Sequence, residues 1–170
     1  VTGGRVSSTN GGGINNAGTL TLNKMEIIGN SVIGGGSSNG GGISNNGTLN
    51  LNNSSVINNS VSNSGGGLIT FGTVNITNST ISGNSAVNQA GGFYIDSISV
   101  VNLLNSTVTS NTAFAHGIRA VGTLNFRNSI IAGNTATSSS GIDLSGFSSS
   151  SLNSQGFNLL GNVAGNINGD

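Results

Sequence analysis

Cysteine, proline and tryptophan are absent from the 170-residue chain, and charge is scarce. Without cysteine there are no disulfides and no thiolate metal sites. Four basic and four acidic residues give a formal net charge of zero, and no basic stripe exists to neutralise a phosphate backbone. That excludes nucleic acid as a partner. No apolar run approaches the roughly 18–20 residues of a membrane span. The chain opens at Val1 with no signal-like segment, and we read it as a segment of a longer, processed protein.

What the chain does contain is repetition. Glycine contributes 30 residues and asparagine is nearly as frequent, a composition that alone would suit a disordered linker. The 34% of apolar residues argue otherwise, because they are mostly β-branched or Leu and keep a fixed register. An apolar residue follows a glycine-rich step at Ile14, Ile43, Leu68, Phe93, Ile118 and Ile142, with spacings of 29, 25, 25, 25 and 24. A near-constant period of this length marks a stacked repeat. The predicted coils run approximately 11–39, 40–64, 65–89, 90–115, 116–139 and 140–170.

Within each coil the pattern reads as three short strands. The first begins after the glycines. The second carries apolar pairs at i and i+2: Leu20/Leu22, Leu49/Leu51, Val74/Ile76, Val101/Leu103 and Leu124/Phe126. The third centres on Ile27, Val56, Ile81, Val108 and Ile131. Alternation of period two buries one face of each strand, and no 3.6-residue pattern persists. One coil cannot bury that face alone. Stacking coils at about 4.8 Å pairs each strand with its equivalents above and below. Each buried Ile, Leu or Phe then contributes roughly 1.5–3 kcal/mol. The expected fold is all-β: a right-handed, single-stranded parallel β-helix of five to six coils of about 25 residues, forming three parallel sheets.

Two asparagine series mark the bends. One is Asn53, Asn78, Asn105 and Asn128, with Lys24 in the first coil; the other is Asn30, Asn59, Asn84, Asn111 and Asn134. Asparagine tolerates the left-handed conformation, and stacked amides can bond from coil to coil. Both series read as structural. So do the glycines, since no Gly-Lys-Ser/Thr follows them and no helix is available to receive an anion. Asn-x-Ser/Thr triplets such as Asn78-Ser-Thr80 are expected by chance in this composition. Insertions fall in the loop before the first strand, from Ser31–Gly41 to the shorter Thr112–Gly117, and around Ile95–Ser99 in the fourth coil.

Gly-Gly-Gly-Ile at 11–14 and 40–43, with Ile/Val-x-x-Asn at Ile27–Asn30, Val56–Asn59 and Ile81–Asn84, resembles the repeat of bacterial parallel β-helix surface proteins. The chlamydial polymorphic outer-membrane proteins, with paired GGA(I/L/V) and FxxN motifs, are the nearest named pattern. Ser154-Gln-Gly-Phe-Asn-Leu-Leu-Gly-Asn162 resembles the closing segment of the secreted choice-of-anchor Q proteins. The resemblance implies a secreted or surface-displayed bacterial stalk or adhesin-like module.

Candidate chemistry is sparse. Glycoside hydrolysis needs two carboxylates across the scissile bond, and Glu26, Asp96, Asp143 and Asp170 share no column on adjacent coils. No acidic cluster or recurrent Asp suggests calcium, so no metal or cofactor is expected. His116, the single histidine, has no carboxylate nearby in sequence. Serines and threonines without a base are not nucleophiles. We therefore expect no catalysis.

One surface column is richer: Asn15, Ser44, Ile69, Tyr94, Arg119 and Asp143 follow the first-strand apolar positions. Stacking would put Tyr94 over Arg119 and Arg119 over Asp143, giving either a self-satisfied ladder or a glycan or partner patch. A second column, Thr19/Thr21, Thr48/Asn50, Thr73/Asn75, Val100/Asn102 and Thr123/Asn125, resembles the threonine arrays of ice-binding solenoids. The leading expectation is a non-catalytic extracellular structural or adhesin-like module. The alternative is a carbohydrate-binding or polysaccharide-processing β-helix whose active residues lie outside this segment. With no obvious cap at either end, end-to-end stacking of coils is a further expectation.

Overall fold

The computed structural model describes residues 1–7, 10–34, 39–138 and 142–169. They form a parallel β-solenoid of about six turns of roughly 26 residues, with no helix among the described residues. Every strand pairs in parallel with its equivalent one coil away.

The five turns from Ile14 to Ala136 each contribute to four sheets, one more than the sequence pattern discloses. The first contains Ile14–Asn16, Ile43–Asn45, Leu68–Thr70, Phe93–Ile95, His116–Ala120, Ile142–Gly146 and Val163–Ala164. The second holds the longest strands, among them Thr48–Asn52 and Thr73–Thr77. The third includes Ser55–Ile57 and Thr80–Ser82. The fourth comprises Arg5–Ser7, Ser31–Ile33, Ser60–Val61, Ser85–Ala86, Thr112–Ala113 and Thr135–Ala136. Residues read from sequence as the start of a loop, from Ser31 and from Thr112, therefore begin with a strand. Such a strand offers one inward apolar residue per coil, too little for an alternation to register.

The first three sheets enclose one apolar column, built largely from the residues that the period-two pattern singled out, with Ile95, Ala120, Leu144 and Leu152 added and Ile142 left out; Phe93, Phe126, Ile76 and Ile81 are at most 1% exposed. The fourth sheet has its own small cluster of Val32, Val61, Ala86 and Ala113, with Val6 against it. Between the two lies the glycine column. A Cβ on Gly66 would sit 2.4 Å from the carbonyl oxygen of Gly91 and 2.6 Å from that of Ser85. One on Gly67 would sit 3.0 Å from Nδ2 of Asn84. The glycine step is thus a place where two backbones and an asparagine column close on one another, leaving no room for a side chain.

The two asparagine series separate into different structures. Lys24, Asn53, Asn78, Asn105 and Asn128 all have φ near +50°, the left-handed bend expected of them. Asn30, Asn59, Asn84 and Asn111 are at most 1% exposed and form an interior ladder. From Asn59 onward each Oδ1 accepts both the backbone N–H and the Nδ2–H of the asparagine one coil earlier, while Asn30 Oδ1 accepts Gly4 N–H. For Asn84 accepting from Asn59 both distances are 3.0 Å. The other Nδ2 proton goes to a carbonyl across the bend, Asn84 to Val56 at 2.9 Å. Buried polar atoms are thereby satisfied, as an apolar interior requires.

A serine ladder runs beside it, unannounced by the sequence pattern. Ser54 N–H donates to Oγ of Ser79, Ser79 N–H to Ser106 and Ser106 N–H to Ser129, at 3.0, 3.1 and 3.2 Å. Each of these serines follows a left-handed asparagine, so the Asn-Ser pair recurs for a structural reason and not by chance.

Candidate functional site

The outer face of the first sheet is partly roofed. Gly40 and Gly65, with φ of +69° and +71°, turn the chain beside the sheet, where Asn39 and Ser64 directly before them pair with one another. A Cβ on Gly40 would come within 3.0 Å of Ile69, so close packing of the turn onto the sheet depends on glycine. Ser44 and Ile69, which a simple column reading leaves exposed, are 0% and 3% exposed beneath this cover. The covering segments are themselves stacked: Asn39, Ser64 and Gln89 form parallel bridges, and Gly65 N–H donates to the Gln89 carbonyl at 3.0 Å. Side-chain amides extend the ladder, Asn88 to Asn63 at 2.9 Å and Asn63 to Asn39 at 3.0 Å.

Between this amide wall and the far end of the sheet runs an open cleft of about 580 Å³. Ile69 and Tyr94 form its floor, Phe71 and Asp96 the opposite wall, and Phe114 with Ala115 the end, at the close of the fourth coil. Phe114 is 57% exposed. Asp96 stands at the fourth-coil insertion, where it accepts a hydrogen bond from Oγ of Ser97 at 3.1 Å. Among the described residues nothing bonds the side-chain amide of Gln89. Two features flagged by the sequence as breaks in the repeat, the loop before the first strand and the insertion after Ile95, thus face each other across one cleft.

Of the three candidate residues, the structure brings two together. Tyr94 pairs in register with Arg119, whose guanidinium carbon lies 5.8 Å from the tyrosine ring centre. Arg119 packs more closely on Phe147, at 4.1 Å, so it is held between two aromatic faces. Its Nε is buried without a hydrogen-bond partner.

Asp143 does not join them. Arg119 pairs with Ser145, and Ile118 with Leu144, so the sixth coil is two residues out of step with the reading that aligned Ile142. The reason lies in the asparagine ladder. The register puts Asp143 opposite Gly117, in the column whose missing side chains leave space toward the asparagines. Its carboxylate fills that space, 5% exposed. Oδ1 accepts the N–H and, at 3.0 Å, the Nδ2–H of Asn134; Oδ2 accepts Asn162 N–H at 2.9 Å. Asp143 closes the ladder where a sixth asparagine would stand.

His116 stands two residues before Ile118, where other coils carry Gly12, Gly41, Gly66 and Gly91. It is partly buried and its Nδ1 is buried without a partner. Burial, and secondarily the neighbouring Arg119 charge, push its pKa below the ordinary 6.5.

The threonine–asparagine column is regular. Thr48 pairs with Thr19 and Thr73, and Asn75, Asn102, Asn125 and Asn153 donate along the outer face at 2.7–2.9 Å. Glu26 is exposed on the first coil, far along the chain from Asp96 and from buried Asp143, while Asp170 lies outside the described residues. Among the described residues no three His, Cys, Asp or Glu side chains converge as a metal site, and no helix is long and apolar enough to cross a membrane. Set against protein-family models, curated proteins and solved structures, the chain matches none.

Proposed function

We propose that this chain is a rigid, non-catalytic module of an extracellular or surface-displayed bacterial protein, a stalk or adhesin-like scaffold. The observation that carries the reading is how its polar residues are used. The asparagine and serine columns, together with the carboxylate of Asp143, bond coil to coil, so the repeated polar chemistry is engaged in holding a column. Among the described residues the remaining carboxylates, Glu26 and Asp96, do not line a shared cleft, as glycoside hydrolysis would require. The likeness of the glycine and asparagine phrases to chlamydial polymorphic outer-membrane repeats and to choice-of-anchor Q proteins supports the extracellular setting.

The test has two parts. The purified chain is incubated with a panel of bacterial and plant polysaccharides while reducing ends and unsaturated products are followed. In its native host, intact cells are treated with protease and probed for the protein. We expect no product, and we expect digestion from outside. Release of product from any polysaccharide, or full protection in intact cells that vanishes on lysis, would overturn the reading.

A further inference from the structure

We infer that the cleft on the first sheet binds a neutral oligosaccharide. Its volume of about 580 Å³ falls within the about 300–1,000 Å³ typical of small-molecule sites. It extends over four successive coils, from Asn39 to Phe114, or about 14 Å at the strand spacing of a β-sheet. That is an elongated trough matched to a short linear chain.

Its lining combines two kinds of group that a sugar uses together. Phe71, Tyr94 and Phe114 offer apolar aromatic surface for the C–H faces of pyranose rings. Phe114 is 57% exposed, a cost in water that a bound ring would relieve. Along the other wall stand amides, which present both donors and acceptors, as hydroxyl groups do. Asn88 lines the cleft and gives one Nδ2 proton to Asn63, and among the described residues nothing bonds the side-chain amide of Gln89.

Other occupants fit less well. A peptide adding as a strand needs free backbone groups, and here the wall backbone is already paired between coils. A phosphorylated ligand or nucleic acid needs cations, and no Lys or Arg lines the cleft. An acidic sugar would meet the carboxylate of Asp96, while the nearest arginine, Arg119, is engaged between Phe147 and Tyr94. Asp96 instead suits a neutral chain, accepting hydrogen bonds from hydroxyl groups.

The experiment is an NMR titration of the ¹⁵N-labelled chain with hexasaccharides of cellulose, xylan, mannan, laminarin and chitin, and with hexagalacturonate as the acidic comparison. At least one neutral probe should saturate at millimolar concentration or below, shifting the amides of Asn88, Gln89, Tyr94 and Phe114. Phe114→Ala alters an exposed residue and Gln89→Ala a half-buried one, while Tyr94→Ala removes the floor. Phe114→Ala and Tyr94→Ala should each weaken binding about tenfold, equivalent to about 1.4 kcal/mol, with signal dispersion unchanged. Asn125→Ala, on the outer face of the second sheet, should leave affinity unaltered. The inference is overturned if no neutral probe binds, if hexagalacturonate binds more tightly than all of them, or if Phe114→Ala and Gln89→Ala both bind as the parent does.

Discussion

Replacing Asn84 by alanine should cost far more than replacing Asn125, although both are ladder asparagines. The Asn84 side chain makes four hydrogen bonds in a fully buried setting. It accepts from the N–H and Nδ2 of Asn59, each at 3.0 Å, and donates to Val56 and Asn111, each at 2.9 Å. At about 1 kcal/mol net per bond, the loss comes to about 4 kcal/mol. Water cannot reach the orphaned Asn59 N–H, since Asn59 and Asn84 are 1% and 0% exposed. Asn125 makes two ladder bonds, to Asn102 at 2.8 Å and from Asn153 at 2.7 Å, on an outer face where water can replace them. Its loss should cost at most about 1 kcal/mol. Urea unfolding followed by circular dichroism reads the difference as a shift in midpoint at unchanged slope. Since a domain's total stability is of order 5–15 kcal/mol, Asn84→Ala should leave the chain near the edge of folding. Equal midpoints for the two variants would refute the claim that burial, and not stacking as such, gives the ladder its value.

Three further expectations follow from local geometry. Gly66→Ala forces a Cβ against two carbonyl oxygens, at 2.4 and 2.6 Å, and should cost about 1–3 kcal/mol or more; Gly18→Ala meets open space and should be neutral or gain up to about 1 kcal/mol, both read by thermal melting. Asp143→Asn keeps an acceptor for Asn134 but sets a donor against Asn162 N–H, so we expect a loss of about 1–3 kcal/mol and faster amide exchange at Asn162. Because the His116 pKa lies below 6.5 in the folded chain, the unfolded state takes up the proton first as pH falls. Stability should therefore be full above pH 6.5 and decline below it toward the lowered value, and His116→Gln should flatten that decline in urea midpoints between pH 7.5 and about 5.

Most of the column was legible in the sequence because three sheets each repeat a large apolar residue at a constant position, and Phe93, Ile76 and Val108 lie where that spacing puts them. The fourth sheet was not, because Val61, Ala86 and Ala113 are single small residues in two-residue strands. Ser79 and Ser106 were hidden differently. Their recurrence after Asn78 and Asn105 was visible, but an Asn-Ser pair in this composition carries no weight until the serine is seen to be buried. At Asp143 the period itself misled: Gly141-Ile142 imitates the glycine–apolar step, while the pairing follows the ladder's need for an acceptor and aligns Leu144 with Ile118. The cleft was legible only as an instruction to look where the repeat breaks. Tyr94 was identified from its column, whereas Phe71 and Phe114 follow strands at positions that do not recur, and only the fold brings them near it.

The central claim is that an interior asparagine ladder, made of the most regular residues in the sequence, holds the coils together. Native-state amide hydrogen exchange tests it residue by residue. The backbone N–H groups of Asn30, Asn59, Asn84 and Asn111 each donate to a buried side chain one coil on, at 2.9–3.1 Å, and should exchange among the slowest in the chain. Exchange at these four positions as fast as at the solvent-facing loop residues Ser97 and Ile98 would contradict the account.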